Sequence, residues 1–106
     1  MSETRDYNDP RYTALRRAVR KRDGYRCRFP GCKATRNLHV HHVRRFADSP
    51  ELRHAVGNCI TLCVRHHRMV TGKEEEYAGM FLSIISGSDD LSLKLIALRY
   101  GLHGNP

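Results

Sequence analysis

The chain lacks several features that would assign it to a common class of protein. It has no tryptophan, three phenylalanines and four prolines among 106 residues, so a hydrophobic core has few large side chains to fill it. No stretch approaches the roughly 18 consecutive apolar residues that a membrane-spanning helix needs. A signal peptide is not expected, because the chain begins with the polar, partly acidic residues MSETRDYNDP. We therefore expect one small cytoplasmic domain with no membrane partner.

Acidic side chains are scarce in the middle of the chain. Between Arg11 and Arg68, 15 Arg and Lys residues stand against three acids, a local net charge of +12, whereas the whole chain carries +8. Arg outnumbers Lys by 15 to 4, and the planar guanidinium suits bidentate contacts with phosphate. The plainer alternative is a solvated basic face. The concentration of charge in one segment favours a polyanionic partner, nucleic acid in particular.

Only four cysteines are present, which permits at most two disulfides. Without an export signal, and with histidines near the cysteines, metal binding by thiolates in a reducing compartment is the better reading. Cys27 and Cys32 flank a Pro-Gly turn that brings their sulfurs together, while Cys63 and His66 are one turn apart. Three cysteines and one histidine form a closed tetrahedral set, typical of structural zinc. The alternative is a group of buried free cysteines beside an exposed histidine.

Cys59 is left outside this set. It lies in a short apolar segment beside Ile60 and Leu62, which favours a packing role. It also lies four residues before Cys63, so it remains a possible replacement for His66 as the fourth ligand.

The remaining pattern predicts a mixed α and β domain. Asp9-Pro10 has the form of a helix cap followed by proline at the first helical position. Tyr25–Cys27 is expected to be extended, and the alternation from Leu38 to Val43 predicts a strand. Helices are predicted at about 10–22, 64–70, 73–85 and 89–100. The last two are amphipathic and are expected to cover the core, although a dimer face or an accessory DNA contact stays open.

A second group of polar residues is not needed for a zinc site: His41, His42, Asn58 and His67. On a strand, His41 and His42 point to opposite faces, so they cannot share one role. Hydrolysis of a phosphodiester with one metal requires a base, a metal on the phosphate and groups that orient the base. Histidine suits the base, because its ordinary pKa of about 6.5 lies near neutrality. The pattern therefore indicates a metal-dependent nuclease.

The chain resembles the HNH endonuclease family in three segments. They are RAVRKRDGYRCRFPGC (residues 17–32), LHVHHV (38–43) and NCITLCVRHH (58–67). The similarity covers about residues 16–76 and is greatest to small free-standing members from phages and mobile elements. It implies an α+β fold with a ββα-metal core and a structural zinc, flanked by an N-terminal helix and two C-terminal helices. Residues 1–106 would form a single nuclease domain.

The resemblance also implies roles for individual residues. His42 matches the general base, and His41 and His67 match the ligands of the catalytic metal. Asn58 matches the asparagine that braces the loop and orients the base. The structural zinc ligands are matched by Cys27, Cys32, Cys63 and His66.

Three positions depart from the family pattern. The first cysteine pair has four residues between its members instead of two, and the second pair ends in His66 instead of cysteine. Thr71 stands where some members carry another histidine, so two protein ligands are expected for the catalytic metal. That metal is expected to be Mg²⁺ or another divalent ion such as Mn²⁺, Ni²⁺ or Zn²⁺. His39 matches no catalytic position and is expected to be exposed.

The resemblance further implies that the ββα element docks on double-stranded DNA. Phosphates would be contacted by Arg16, Arg17, Arg20, Arg44, Arg45, Arg65 and Arg68. A phage packaging complex is an implied partner, and the sequence leaves open whether the protein is a monomer or a homodimer. The main alternative is a zinc-stapled DNA-binding module without catalysis, which would have no need of the histidines and Asn58. A zinc-ribbon adaptor for another protein would not need the central positive charge.

Overall fold

The structure is a computed structural model and describes residues 9–45 and 52–87. Within these ranges the chain is α+β, as predicted, with three α-helices and a two-stranded antiparallel sheet. The elements in chain order are α1 (Pro10–Arg22), β1 (Leu38–His42), β2 (Cys59–Cys63), α2 (Val64–Val70) and α3 (Glu74–Ile85). The helix predicted at 89–100 lies outside the described residues.

Helix α1 begins and ends where the sequence predicts. The Asp9 carboxylate accepts a hydrogen bond of 2.8 Å from the backbone N–H of Arg11, and Pro10 occupies the first turn. Past its end, the expectation of an extended Tyr25 is wrong. Tyr25 has φ +57°, in the left-handed region, so the chain turns sharply before it reaches Cys27.

The strands pair with a register that brings distant parts of the sequence together. Leu38 lies opposite Cys63, and His42 lies opposite Cys59. The predicted strand extended to Val43, whereas β1 ends one residue earlier. The Val43 N–H still donates to the Asn58 carbonyl at 2.7 Å in the same register, but Asn58 belongs to a 3-10 turn over Val56–Asn58 and not to β2.

Helix α2 follows β2 without an intervening loop, so its direction is set by the sheet. It ends before Gly72, whose φ of +86° favours glycine and turns the chain towards α3.

Helix α3 begins at Glu74, one residue later than predicted. Three glutamates in its first turn oppose the positive end of the helix dipole. No helix among the described residues has the length and apolar character to cross a membrane.

The sheet separates two groups of buried residues. Towards α1, the buried side chains are Tyr12, Leu15, Val19, Val40 and Cys59. On the other side lies a larger core that includes Cys27, Phe29, Ile60, Leu62, Val70, Met80, Phe81 and Ile84. Because side chains alternate along a strand, each strand contributes to both groups. This division decides which histidines can meet.

Candidate metal centre and histidine cluster

Four buried ligand residues converge at one end of the sheet. The sulfur atoms of the three cysteines and a ring nitrogen of the histidine all lie within 4.8 Å of one another. We call this set the cysteine cluster; its members are Cys27, Cys32, Cys63 and His66. The loop after α1 supplies two of them, the end of β2 the third and α2 the fourth. The set predicted for a metal from sequence is therefore brought together, close enough to hold one ion.

The separations within the cysteine cluster fit a tetrahedral metal. The sulfurs of Cys32 and Cys63 are 4.0 Å apart. The Nδ1 atom of His66 lies 3.3 Å from the Cys63 sulfur and 3.6 Å from that of Cys27. Around zinc, bond lengths of about 2.3 Å to sulfur and 2.0 Å to nitrogen place neighbouring ligands roughly 3.5–3.8 Å apart. The donor atoms therefore need little movement to coordinate zinc.

Backbone hydrogen bonds and packing hold the first pair of cysteines. The Cys27 N–H donates to the Ala34 carbonyl and the Cys32 N–H to the Phe29 carbonyl, both at 2.9 Å. The ring of Phe29 stacks on the His66 ring, with centroids 4.1 Å apart and planes inclined by 4°. This contact fixes the plane of the imidazole, so Nδ1 is directed at the sulfurs before any metal binds.

Burial perturbs the thiols and imidazole of the cluster. It raises the pKa of the Cys27 thiol to about 12. Burial opposes ionisation of Cys63 too, but backbone N–H groups of His66 and Arg65 and neighbouring thiols hold the pKa of Cys63 below its ordinary value. Burial, assisted by the positive charge of Arg65, lowers the pKa of His66. Because thiolates and a neutral imidazole bind metals, loading the cluster must release protons.

Cys59 does not join the cysteine cluster. Its side chain is fully buried on the α1 side of the sheet, among Leu15, Val19 and Val40. The packing role expected from the sequence is therefore confirmed, and the alternative that it replaces His66 is wrong.

A group of imidazoles lies where β1 and α2 meet, and we call it the histidine cluster: His39, His41 and His67. The ring centroids of His41 and His67 are 5.5 Å apart, and those of His39 and His67 are 5.1 Å apart. His41 is buried, with its ring 5.6 Å from that of Phe81. His67 is partly buried and His39 is exposed, as expected from the sequence. The two residues predicted to bind a catalytic metal are thus neighbours.

His42 faces the other side of the sheet, as strand alternation predicts. Its buried ring lies roughly parallel to the ring of Tyr12 in α1, with centroids 6.5 Å apart. Its Nε2 atom lies 2.9 Å from the backbone carbonyl of Arg53. Since a carbonyl can only accept a hydrogen bond, Nε2 carries the proton in the neutral ring and Nδ1 has the lone pair.

Asn58 is buried and ties together the two sides of the loop that follows β1. Its Oδ1 accepts from the Arg44 backbone N–H at 2.9 Å, and its Nδ2 donates to the Arg44 carbonyl at 3.1 Å. Nδ2 also lies 3.4 Å from the Leu52 carbonyl. A side-chain amide satisfies both a donor and an acceptor of the same residue, so asparagine closes the loop beyond His42.

No role was predicted for Asp23, which the structure shows to be a buried hydrogen-bond acceptor. The carboxylate is buried and accepts from the guanidinium groups of Arg22 and Arg28 at 2.9–3.0 Å. It also accepts from the backbone N–H of Thr61 in β2 at 2.9 Å. Asp23 therefore joins α1, the loop that holds Cys27 and Cys32, and the sheet. Its isolation among the basic residues of this segment was the available signal.

Arg22 extends this network to the turn that carries Asn58. Its guanidinium donates to the Val56 carbonyl at 2.8 Å and to the Cys59 carbonyl at 2.6 Å, while Asp23 holds it bidentately. The two carbonyls flank Asn58 in the chain, so the position of Asn58 depends on α1. This link spans 34 to 37 residues and left no local pattern in the sequence.

The predicted DNA-binding arginines differ in their surroundings. Exposed side chains belong to Arg17, Arg45, Arg65 and Arg68. The Arg16 guanidinium lies 5.0 Å above the Tyr12 ring, and Arg20 is partly buried. Arg44 forms a surface ion pair with Glu75 at 3.2 Å, which reduces its availability for phosphate. An open cleft of about 470 Å³ beside the cysteine cluster adds Lys33 and Arg36 to Arg65.

Comparison with family models, with curated proteins and with solved structures found no match to this chain.

Proposed function

We propose that the protein is a metal-dependent DNA endonuclease of the HNH type, with zinc as a structural ion in the cysteine cluster. In this proposal the strand–strand–helix unit formed by β1, β2 and α2 is the ββα-metal core. The closed, buried donor set of three thiolates and one imidazole suits zinc in a structural role. The residues proposed for catalysis lie outside that set.

The observation that carries the proposal is the hydrogen bond from His42 Nε2 to the Arg53 carbonyl. It selects the tautomer in which Nδ1 is basic, which is the state a general base requires. Parallel packing against Tyr12 restricts the orientation of the ring. His42 would accept a proton at Nδ1, an atom that is buried in this structure, from a water that must reach it when DNA and metal bind. The resulting imidazolium would be stabilised by the Arg53 carbonyl.

His41 and His67 would hold the catalytic divalent metal. Their rings meet nearly edge to face, at 70°, with 5.5 Å between centroids, which suits two imidazoles that approach one ion from different directions. A bound metal would supply a Lewis acid for the scissile phosphate and offset charge on the leaving oxygen. His41 is buried against Phe81, so one ligand is rigidly oriented.

Asn58 would act as a positioning residue. By clasping both backbone groups of Arg44, it fixes the segment that leaves β1 immediately after the proposed base. The Arg22–Asp23 pair holds the two carbonyls that flank Asn58, so the brace is itself anchored to α1.

Double-stranded DNA is the proposed substrate because exposed basic residues lie on and beside this unit. The cleft beside the cysteine cluster is lined by Lys33, Arg36 and Arg65, and Arg68 is exposed on α2. Guanidinium and ammonium groups would contact backbone phosphates, which position a protein on DNA but do not select sequence. A phage packaging complex remains a proposed partner, on the resemblance alone.

Plasmid cleavage by the purified protein tests the proposal. Supercoiled plasmid would be incubated with protein and EDTA, Mg²⁺, Mn²⁺, Ni²⁺ or Zn²⁺, and nicked and linear products would be measured. We expect metal-dependent cleavage that falls roughly 100-fold or more in His42→Ala, the scale of a lost general base. The matched control is His54→Ala, which removes the exposed histidine that follows Arg53 and should leave cleavage unchanged.

Cleavage that persists in His42→Ala would refute the assignment of the base. Absence of cleavage with every metal, together with salt-sensitive DNA binding, would favour the second candidate, a zinc-stapled DNA-binding module without catalysis. The basic cleft beside the cysteine cluster is the observation that supports that candidate.

A further inference from the structure

The proposed catalytic metal has only two protein ligands, which leaves room for a third. Thr71 is the residue that follows α2, one turn after His67. A metal-binding side chain at this position would approach the same ion. Its hydroxyl instead donates to the His67 backbone carbonyl at 2.7 Å. Thr71 therefore caps the end of α2, and its hydroxyl is directed at the backbone.

His39 approaches the same place from the sheet. It precedes His41 by two residues on β1, and side chains two apart lie on the same face of a strand. In the register of the sheet, His39 is opposite Leu62 and His41 is opposite Ile60. Both imidazoles therefore lie beside buried apolar side chains on the side of the sheet that faces α2.

Two of the three ring separations are close to those of imidazoles that share one ion. A zinc–nitrogen bond of about 2.0 Å puts the centre of each ring roughly 3.2 Å from the metal, so two rings at a tetrahedral angle have centroids about 5 Å apart. The observed values are 5.1 Å between His39 and His67 and 5.5 Å between His41 and His67.

We propose that His39 is the third protein ligand of the ion held by His41 and His67, so that the histidine cluster is a three-imidazole metal site. The inference rests on the proposed function for the presence of that ion. The three residues differ in burial: His41 is buried, His67 is partly buried and His39 is exposed. The solvent side of the site therefore stays open for water and a phosphate oxygen, as in catalytic sites with three protein ligands.

Binding requires a rotation of the exposed ring. Among residues 9–45 and 52–87, only the cysteine cluster already has all its ligand atoms within 4.8 Å of one another. His39 can turn about its side-chain bonds at little cost because it is exposed, whereas Phe81 holds the ring of His41. The metal would thus order His39 on a site prepared by His41 and His67.

The composition of this site predicts its metal preference. Imidazole nitrogen suits Zn²⁺, Ni²⁺ and Cu²⁺, whereas Mg²⁺ prefers oxygen ligands and retains its waters. A third imidazole in place of water therefore shifts selectivity away from Mg²⁺. We expect Ni²⁺ to bind far more tightly than Mg²⁺, and His39 to contribute to that difference.

Calorimetric titration of Ni²⁺ into protein whose zinc content has been measured tests the inference. We expect the wild type, with one zinc in the cysteine cluster, to bind one further Ni²⁺. His39→Gln should weaken that step at least about tenfold, because loss of even an outer-shell partner of a metal site has that effect. His54→Gln, an exposed histidine outside the cluster, is the control and should leave the affinity unchanged.

The inference would be overturned by three results: no second ion in the wild type, unchanged affinity in His39→Gln, or an equal loss in His54→Gln. Plasmid cleavage by the same samples separates this inference from the proposed function. His39-dependent Ni²⁺ binding without any cleavage would support the ligand and refute the nuclease. Cleavage with unchanged Ni²⁺ affinity in His39→Gln would support the nuclease and refute the ligand.

Discussion

The cysteine cluster and the histidine cluster share helix α2 but differ in closure. All four members of the cysteine cluster are buried, and their donor atoms lie within 4.8 Å of one another. The histidine cluster runs from buried His41 to exposed His39, and its ligand atoms do not all lie within 4.8 Å of one another. Two adjacent residues of α2, His66 and His67, belong one to each. The first cluster is therefore shielded from solvent, whereas the second is open to solvent at His39.

The cysteine cluster also bears on the position of the histidine cluster. The cysteine cluster connects the loop after α1, the end of β2 and α2, and Phe29 packs directly on His66. A bound ion there would fix the direction of α2, and His67 follows from that direction. The orientation of His67 therefore depends on the cysteine cluster.

The adjacent pair on α2 gives the largest expected contrast. His66→Ala should lose the structural metal and unfold the domain, because metal binding of roughly 10–16 kcal/mol in small zinc domains equals or exceeds typical domain stability. His67→Ala should keep zinc content and a cooperative melt while losing metal-dependent cleavage. Zinc analysis, circular dichroism and plasmid cleavage measure both variants. A folded, zinc-free His66→Ala protein would remove the distinction between the two clusters.

Asp23→Ala is expected to destabilise helix α1, the loop that holds Cys27 and Cys32, and the sheet at the same time. The change leaves Arg22, Arg28 and the Thr61 N–H without their shared acceptor, and we expect a loss of roughly 2–4 kcal/mol in the free energy of unfolding. Asp23→Asn keeps an oxygen for the Thr61 N–H and should lose less. Urea unfolding of zinc-loaded protein measures the difference. A change below about 0.5 kcal/mol, the range of ordinary surface substitutions, would mean that the stability of these elements does not depend on the Asp23 carboxylate.

The smallest expected effect concerns the cap at the start of helix α1. The side chain and backbone N–H of Arg11 hold the pKa of Asp9 below its ordinary value. A lowered carboxyl pKa means that the stabilisation of α1 is present above about pH 4 and is lost as the pH falls through the folded pKa.

Backbone amide exchange at the start of α1 would detect this loss as faster exchange below about pH 4, corrected for intrinsic rates. Asp9→Asn retains a capping oxygen without the titration and should flatten the pH dependence. If both proteins show the same pH dependence, the Asp9 cap is not its source.

Local patterns in the sequence predicted much of this architecture. The Asp9-Pro10 cap set the start of α1, and apolar periodicity set α3 to within one residue. Strand alternation correctly separated His41 from His42, because side-chain direction on a strand depends only on position. The boundary at Val43 was missed because Asn58, which Val43 faces in the register of the sheet, belongs to the 3-10 turn before β2. The nuclease function and the roles of the catalytic residues remain predictions.

The sequence by itself determined the ligand types and their spacing, which were enough to identify the cysteine cluster and to leave Cys59 in doubt. Tertiary structure decided that Cys59 packs against α1, that Arg22 and Asp23 hold the turn before β2, and that His39 lies beside His67. The reason is physical. Caps, periodicity and short loops arise from neighbours in the chain, whereas these contacts form only after the two strands pair and α1 packs across them.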